Sequence, residues 1–270
     1  MNINIDNLAI EVTRKCNMSC EHCLRGASQR KVIDNNHIYK LLQLIDNVST
    51  LTITGGEPTL NMEGLEQIRY CITYENSDIQ NFYMVTNGKA INVDKLAEWS
   101  YNMLSCCSDN EISRIGFSFD SFHTNNLNYR QLEKQKRNFH NLQEKLQYEY
   151  GIYETPCGGD FVCKHSNDSL GYHNLLKQGR AKDFGSRESK KEVFEIEFYD
   201  EEKDSIHCNE NILYLTCSGY IIAGCDWSYN SMDNRKDLQI CHIDNINCSD
   251  ELVEAIKKYN NKTEKTLQYA

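Results

Sequence analysis

Apolar strand patterns alternate with helical patterns along the first half of this 270-residue chain. Short β-branched runs end at Thr13, Thr54, Thr86 and Phe119, and a segment with apolar residues at helical spacing follows each of them. Strands that alternate with helices favour parallel pairing through right-handed crossovers. The pattern therefore predicts an α/β fold in which the strands end at the same edge of one parallel sheet.

The same periodicities set the bounds of the predicted elements. Predicted strands of the first part are Leu8–Thr13, Leu51–Thr54, Phe82–Thr86, Ile115–Phe119 and Tyr148–Tyr153, and predicted helices are Ile38–Ile45, Leu65–Tyr74, Val93–Leu104, Tyr129–Leu146 and Ser169–Lys177. Strands at Val193–Tyr199, Ile212–Leu215 and Tyr220–Ala223, a hairpin turn at Ser218-Gly219 and a closing helix at Glu251–Tyr259 follow. We therefore expect a core over residues 1–190 and a small α+β C-terminal extension over 191–270.

The amino-acid composition limits the cellular environments and the binding partners that suit this chain. The 29 Lys and Arg residues stand against 39 Asp and Glu residues, and the net charge of −10 disfavours broad binding to nucleic acid or to an anionic membrane. The N-terminal segment lacks the pattern of a signal peptide, and no apolar run is long enough to span a bilayer. We expect a soluble, cytoplasmic protein whose 13 cysteines are thiols or metal ligands.

Three cysteines follow the first predicted strand directly. Cys16, Cys20 and Cys23 form a C-x3-C-x2-C triplet, and thiolates at such short spacings commonly anchor iron–sulfur clusters. Three protein ligands would leave one iron open to a substrate or cosubstrate. Two other interpretations remain open: chance spacing in a cysteine-rich chain, and a zinc site with His22 or a distant cysteine as the fourth ligand.

The segment from Cys16 to Cys23 resembles the cluster loop of the radical S-adenosylmethionine (SAM) superfamily, with His22 in the place that an aromatic residue usually takes against the adenine. The resemblance implies a partial (β/α)6 barrel that carries a [4Fe–4S] cluster on the three cysteines. It also implies that SAM chelates the open iron, and that an electron from the cluster cleaves SAM to methionine and a 5′-deoxyadenosyl radical.

Further motifs at the strand ends resemble the same superfamily. Gly55, Gly56, Glu57 and Pro58 resemble its GGE loop, which hydrogen-bonds the methionyl amino group of SAM, and the paired glycines would let backbone approach a ligand closely. By resemblance, Thr86 and Asn87 belong to its TNG segment, Ser118 and Asp120 would contact the ribose hydroxyls, and Arg180 would face the SAM carboxylate. Taken singly, each motif is also compatible with an ordinary turn or a helix cap.

Another group of cysteines lies in the C-terminal extension. Cys208, Cys217, Cys225, Cys241 and Cys248 surround the predicted hairpin, and their layout resembles a degenerate twitch or SPASM appendage. The resemblance implies an auxiliary cluster for which Cys208, Cys217, Cys225 and Cys241 are the candidate ligands. Buried free thiols are the alternative. The polar and aromatic run from Asp226 to Tyr229 would suit a loop that faces the substrate or packs at a domain junction.

The resemblance implies an enzyme that positions a substrate C–H bond against the 5′ carbon and takes its electron from a reductant such as flavodoxin or ferredoxin. The twitch-like tail slightly favours a peptide substrate over a nucleotide or other small metabolite. The competing class is a non-catalytic metal-binding or redox-sensing protein. That class would account for the thiols but not for the ordered motifs at the strand ends.

Overall fold

A computed structural model of the chain describes residues 3–75, 77–110, 112–119, 121–125, 127–152, 162–163, 176–183, 185–191, 193–200, 203–207 and 211–268. The strands are β1 (Asn4–Thr13), β2 (Asn47–Gly55), β3 (Asp78–Thr86), β4 (Arg114–Phe117), β5 (Val162–Cys163), β6 (Glu195–Asp200), β7 (Lys203–His207), β8 (Leu213–Leu215), β9 (Tyr220–Ala223) and β10 (Gln239–His242). The helices are α1 (Asn35–Gln43), α2 (Met62–Tyr74), α3 (Val93–Cys106), α4 (Ser121–Thr124), α5 (Tyr129–Tyr150), α6 (Tyr229–Asn234) and α7 (Ser249–Gln268).

The strands form one mixed sheet that does not close into a barrel. Strands β1 to β5 pair in sequence order and are all parallel. On the other side of β1, β8 is also parallel to β1, and β9 and β10 continue the sheet in antiparallel pairing. The α/β prediction with a parallel sheet is confirmed. The C-terminal strands join the same sheet as the first strand.

Strand β1 lies in the middle of this sheet, and its residues are correspondingly buried. Every residue from Leu8 to Thr13 is buried, as expected for a parallel strand covered on both faces. Asparagine and aspartate caps begin the helices after the strand-end loops, because their side chains accept hydrogen bonds from the first-turn N–H groups. The capping residues are Asp34 for α1, Asn61 for α2, Asn92 for α3 and Asn128 for α5.

The predicted strand Tyr148–Tyr153 is wrong where the structure describes it, because α5 continues to Tyr150. Its buried face runs on to Leu146, and the helix ends at Gly151 in the left-handed conformation, with φ 68°. The aromatic residues that suggested a strand are part of the last helical turn. Tyr153 and most of the predicted helix Ser169–Lys177 lie outside the described residues.

The hairpin predicted at Ser218-Gly219 is confirmed. Strands β8 and β9 pair with Leu215 opposite Ile221, and Gly219 has φ +80° in the turn. The short strands β7 and β10 were not predicted. Within the described residues, no helix combines the length and the apolar character needed to cross a bilayer.

Candidate cofactor-binding cavity

A cavity of about 510 Å³ lies at the carboxyl ends of β1 to β4, where the loops of a parallel sheet share one edge. It brings together every described residue that the sequence predicted for the three-cysteine cluster and for SAM. These residues are Cys16, Cys20, His22, Cys23, Gly55, Gly56, Glu57, Pro58, Thr86, Asn87, Ser118 and Arg180. The remaining predicted residue, Asp120, lies outside the described residues.

Other side chains that the motifs did not identify line the same cavity. Tyr83, His123, Arg187 and Asp226 are among them, and the His123 ring meets the His22 ring edge-on with centroids 4.7 Å apart. Only Asp226 carried a signal in the sequence, as part of a polar and aromatic run. The others come from unrelated segments, and only the fold brings them to this edge.

The cysteine loop holds three thiols on one wall of the cavity. Cys20 is buried, whereas Cys16 and Cys23 are partly exposed. Burial raises the pKa of the Cys16 thiol to about 11, and the Glu57 carboxylate and the other two thiols add to this increase. Cys16 is therefore a protonated thiol at neutral pH unless a metal replaces the proton.

The two glycines of the GGE loop let this loop pack directly against the cysteine loop. The Gly56 N–H donates to the Thr13 carbonyl at 2.7 Å, and the Glu57 N–H donates to the Lys15 carbonyl at 2.8 Å. A Cβ at Gly55 would lie 2.3 Å from the Thr13 oxygen, and one at Gly56 would lie 2.5 Å from the Lys15 oxygen. The contacts that require glycine here are with the chain's own backbone, whereas the sequence suggested close approach to a ligand.

We expect Gly56→Ala to displace the GGE loop from the cysteine loop, because the new Cβ overlaps backbone that cannot move independently. The free energy of unfolding should fall by about 1–3 kcal/mol, and less iron should be incorporated on reconstitution with iron and sulfide. Urea unfolding and iron analysis measure the two effects.

Gly151→Asn is the matched control for this substitution. A Cβ at Gly151 meets nothing within 4 Å, and asparagine tolerates the left-handed conformation of this helix end. If Gly56→Ala changed stability and iron content no more than this control does, the close packing of the two loops would not be required.

The Glu57 side chain joins the β2 and β3 loops. It is 2% exposed, and its carboxylate accepts hydrogen bonds from the Thr86 hydroxyl and the Asn87 N–H, both at 2.7 Å, and from Thr59. Burial raises the pKa of Glu57, and these hydrogen bonds counteract part of that increase. The carboxylate of Glu57 is therefore occupied by hydrogen bonds within the protein. The backbone of the GGE loop is the part that remains available to a ligand.

Asn87 extends from the β3 loop toward the cysteine loop. Its side-chain amide donates to Asn17 Oδ1 at 2.8 Å and lies 3.9 Å from the sulfur of Cys16. The buried side chain of Gln135 on α5 donates to the carbonyls of Asn87 and Ser118, which holds the β3 and β4 loops together. The sequence interpretation missed Gln135, because nothing in the predicted helix Tyr129–Leu146 distinguishes one buried polar side chain from its exposed polar neighbours.

Arg180 lies against the cysteine loop from the other side. Its Nε donates to the Cys20 carbonyl at 2.7 Å, and its backbone N–H donates to the Cys23 carbonyl at 3.0 Å. Gly179 precedes it with φ +56°, and a Cβ there would lie 2.2 Å from the Leu24 oxygen. The Gly-Arg-Ala segment thus packs onto the cysteine loop and places Arg180 in the cavity wall.

A buried ionic network connects the cysteine loop to the C-terminal part of the sheet. The guanidinium of Arg14, which is fully buried, contacts the Glu11 carboxylate at 2.9 Å and the Asp233 carboxylate at 2.8 Å. Burial alone would raise the pKa of Asp233, but Arg14 and Lys31 lower it below its ordinary value. Farther along the loop, Arg25 donates to backbone carbonyls just ahead of α6.

The C-terminal cysteines have different environments. Cys217 is buried, and both its N–H and its thiol donate to Glu11. Burial raises the pKa of Cys241 to about 12, Cys225 lies beside Asp226, and Cys248 is exposed. Among the described residues these thiols do not form a group with sulfurs within 4.8 Å of one another. Cys208 lies outside the described residues.

These features identify a mixed α/β protein with a cysteine-lined cavity at the carboxyl edge of a parallel sheet. The sequence model of the family described as "Radical SAM superfamily" matches residues 10–152, more than half of the chain. The chain therefore belongs to the radical SAM superfamily. Membership supports an enzyme and implies a [4Fe–4S] cluster and SAM as its cofactors.

Curated relatives match parts of the chain. An uncharacterized protein of Methanocaldococcus jannaschii is 39% identical over 98 residues, which are 34% of this chain and 33% of that protein. An S-adenosylmethionine-dependent nucleotide dehydratase of a Fibrobacter species is 27% identical over 160 residues, which are 54% of this chain and 44% of the relative. In both cases the match spans less than half of the relative's length.

A solved structure described as native anSMEcpe with bound AdoMet and Cp18Cys peptide resembles the chain over most of its length. The TM-score is 0.56, and the match covers 96% of this chain and 82% of that chain at 12% sequence identity. At this identity the similarity establishes a shared fold.

The cavity residues fit both cofactors. A single metal ion needs ligand atoms that lie close together. Among the described residues, the sulfurs of Cys16, Cys20 and Cys23 do not all lie within 4.8 Å of one another. They face a cavity of about 510 Å³, and sulfur ligands at short spacing are those that iron–sulfur clusters use. Cys16, Cys20 and Cys23 could therefore hold a cluster, with room for SAM beside it.

Proposed function

We propose that this chain cleaves SAM reductively in the cavity, with Cys16, Cys20 and Cys23 as the ligands of a [4Fe–4S] cluster. When bound, the cluster supplies the electron that splits SAM into methionine and a 5′-deoxyadenosyl radical, which abstracts hydrogen from the substrate. The observation that carries the proposal is the shared cavity: the three thiols and the GGE loop line the same space. Flavodoxin or ferredoxin is the class of electron donor that we expect.

The other cavity residues receive roles in binding SAM. We assign the methionyl amino group to the backbone of Gly55 and Gly56, because the carboxylate of Glu57 is already hydrogen-bonded within the protein. Arg180 would face the SAM carboxylate and His22 the adenine, and both line the cavity. We assign the ribose hydroxyls to Ser118 and Asp120.

The division into a core over residues 1–190 and a cap over 191–270 is also part of the proposal. Two contacts support a cap that closes the cavity: Asp226 lines it, and Arg25 of the cysteine loop donates to the carbonyls of Cys225 and Trp227, both at 2.6 Å. The cap would exclude water from the site of hydrogen abstraction and fix the position of the substrate.

A nucleotide is the substrate class that we favour. A second cavity of about 510 Å³ adjoins the first, and the two share Arg187 and Asp226 in their walls. Arg187 and Lys190 in this second cavity supply cationic groups of the kind that bind phosphates, and the Glu188 carboxylate in the same wall pairs with Lys177 at 3.2 Å. The name of the Fibrobacter relative, a nucleotide dehydratase, agrees with this assignment.

A peptide is the second candidate. The similar solved structure holds a peptide, and Asp226 brings the C-terminal segment into the wall that the two cavities share. An auxiliary cluster on the C-terminal cysteines belongs to this candidate. Iron equal to one cluster per chain after reconstitution would reject the auxiliary cluster.

Anaerobic reconstitution, reduction with dithionite and an assay for 5′-deoxyadenosine test the proposed function. We expect the wild-type protein to form 5′-deoxyadenosine slowly without substrate. Nucleoside triphosphates should increase the rate several-fold and give a product of changed mass, whereas the same response to a peptide pool would support the second candidate. A reconstituted protein that forms no 5′-deoxyadenosine under any of these conditions would contradict the proposal.

The Arg187→Met variant is a second test that distinguishes a nucleotide substrate from a peptide substrate. If Arg187 binds a phosphate, the variant should keep the slow substrate-free rate and lose the stimulation by nucleotides. Lys257→Met, on helix α7, is the control that should leave both rates unchanged, because Lys257 lines neither cavity. Full nucleotide stimulation in Arg187→Met would contradict the assigned phosphate contact.

A further inference from the structure

A group of metal-ligand side chains lies outside the cofactor cavity, where α1 meets the C-terminal strands. His37, His242 and Asp244 each offer one ligand atom, and these atoms all lie within 4.8 Å of one another. His37 is in the first turn of α1, and His242 and Asp244 lie at the end of β10 and just after it. Segments from the two ends of the chain therefore converge on this group.

Both imidazole rings face the same carboxylate through different oxygens. His37 Nε2 lies 3.4 Å from Asp244 Oδ1, and His242 Nδ1 lies 3.5 Å from Asp244 Oδ2. Nδ1 of His37 is buried and has no hydrogen-bond partner within the described residues, so Nε2 is the nitrogen available to a ligand. The set comprises two nitrogens and a carboxylate, a combination that binds borderline divalent metals.

The orientation of His242 agrees with a ligand role. Its Nε2 lies 2.9 Å from the Ser218 carbonyl, which can only accept, so the proton is on Nε2 and the lone pair of Nδ1 points toward Asp244. A hydrogen bond from the other ring nitrogen to a carbonyl is the usual support of a metal-binding histidine. The contact from the Asp244 N–H to Nδ1 is long, at 3.3 Å, and is the one a metal would replace.

Gly219, in the turn between β8 and β9, packs against the imidazole rings of both His37 and His242. A Cβ on Gly219 would lie 2.7 Å from His37 Cε1 and 2.8 Å from His242 Nε2, so only glycine admits the two rings at this distance. Lys40 of α1 donates to the Asp244 carbonyl at 3.0 Å, which fastens the loop after β10 to the helix. The ligand positions are thus supported by backbone on two sides.

We propose that His37, His242 and Asp244 bind one divalent transition metal of the zinc class, with water in the remaining coordination positions. Mg²⁺ and Ca²⁺ do not suit the site, because they prefer ligand sets made of oxygens. The metal would connect α1, which follows the cysteine loop, to the C-terminal strands and would stabilise the folded chain. This inference does not depend on the proposed function.

The test must exclude zinc bound at the cysteine triplet. Zn²⁺ is therefore added to two forms of the full chain: the cluster-loaded protein, and a variant with Cys16→Ser, Cys20→Ser and Cys23→Ser. Zinc per chain is measured after dialysis, and the melting temperature is measured with and without Zn²⁺. We expect one zinc per chain in both forms and a rise of about 5 °C at saturating metal. Mg²⁺ should produce no rise.

Asp244→Asn and His242→Ala, each made in both forms, should weaken zinc binding at least about 100-fold and abolish the zinc-dependent rise in melting temperature. Asp244 is 62% exposed, so its substitution tests the site without disturbing the core. His140→Ala, at an exposed histidine of α5, is the control and should bind zinc like the parent protein. Zinc binding that is equal in Asp244→Asn, His242→Ala and the parent protein would overturn the proposal.

Cobalt gives an independent readout in the variant without the cysteine triplet. Co²⁺ at the proposed site should show visible d–d bands without the thiolate-to-cobalt charge transfer that a cysteine ligand would add. Charge-transfer bands that persist in this variant would show that other thiols hold the metal, and they would contradict the assigned nitrogen and oxygen ligands.

Discussion

Cys16→Ala is expected to reduce the formation of 5′-deoxyadenosine by more than about 100-fold, a larger loss than removal of a residue that only supports a metal ligand. The three thiols line one cavity wall, and loss of one of them leaves two ligands for a cluster that the proposal anchors at three points. Iron content after anaerobic reconstitution should fall with the activity. Iron content and 5′-deoxyadenosine formation are both measured on the variant and on wild-type protein prepared in parallel.

Cys106→Ser is the control for loss of a thiol as such. Cys106 lies on α3, where its sulfur contacts the Thr73 hydroxyl, and it does not line the cavity. This variant should retain the iron content and the activity of the wild type. Equal 5′-deoxyadenosine from Cys16→Ala and the wild type would exclude Cys16 as a required cluster ligand.

Arg14→Met is expected to lower the free energy of unfolding by about 3–5 kcal/mol, because it leaves the buried carboxylate of Glu11 without its cation. Arg14 and Glu11 are both fully buried and 2.9 Å apart, and the guanidinium also stacks on the ring of Tyr229. Burial alone would lower the pKa of Arg14, yet the charges of Glu11 and Asp233 raise it, so the guanidinium stays charged. Urea unfolding measures the loss.

Lys31→Met provides the matched comparison, since Lys31 also contacts Asp233 but is 47% exposed. An exposed ion pair contributes little, and we expect this variant to lose less than about 1 kcal/mol. Adding Glu11→Gln to Arg14→Met should restore part of the stability by removing the uncompensated charge. If Arg14→Met lost no more stability than Lys31→Met, the buried network would not hold the cysteine loop as described.

Much of the core was predictable because it depends on short-range patterns. Strand runs ending at Thr13, Thr54, Thr86 and Phe119 correspond to β1 to β4, and their alternation with helices was enough to predict parallel pairing. The motifs that follow these strands therefore had to share one edge. The cavity brings them together there, as parallel topology requires.

Errors arose where a local pattern suited two structures. The tyrosines before Gly151 fit a strand as well as a helix end, and the continuing helix with its glycine cap decided between them. The prediction for the paired glycines considered only a ligand, and it did not include their close packing against the backbone of Thr13 and Lys15. Contacts between segments 40 residues apart in the chain leave no periodic signal in either segment.

The sequence by itself determined which chemistry is available and the alternation of strands and helices, because thiol spacing and hydrophobic periodicity are properties of neighbouring residues. Only the tertiary structure decided which groups meet: Gln135 with the β3 and β4 loops, Cys217 with Glu11, and His37 with His242. These residues are far apart in the chain, and the order of strands in the sheet sets the distances between them. Their roles therefore follow from the packing of the whole chain.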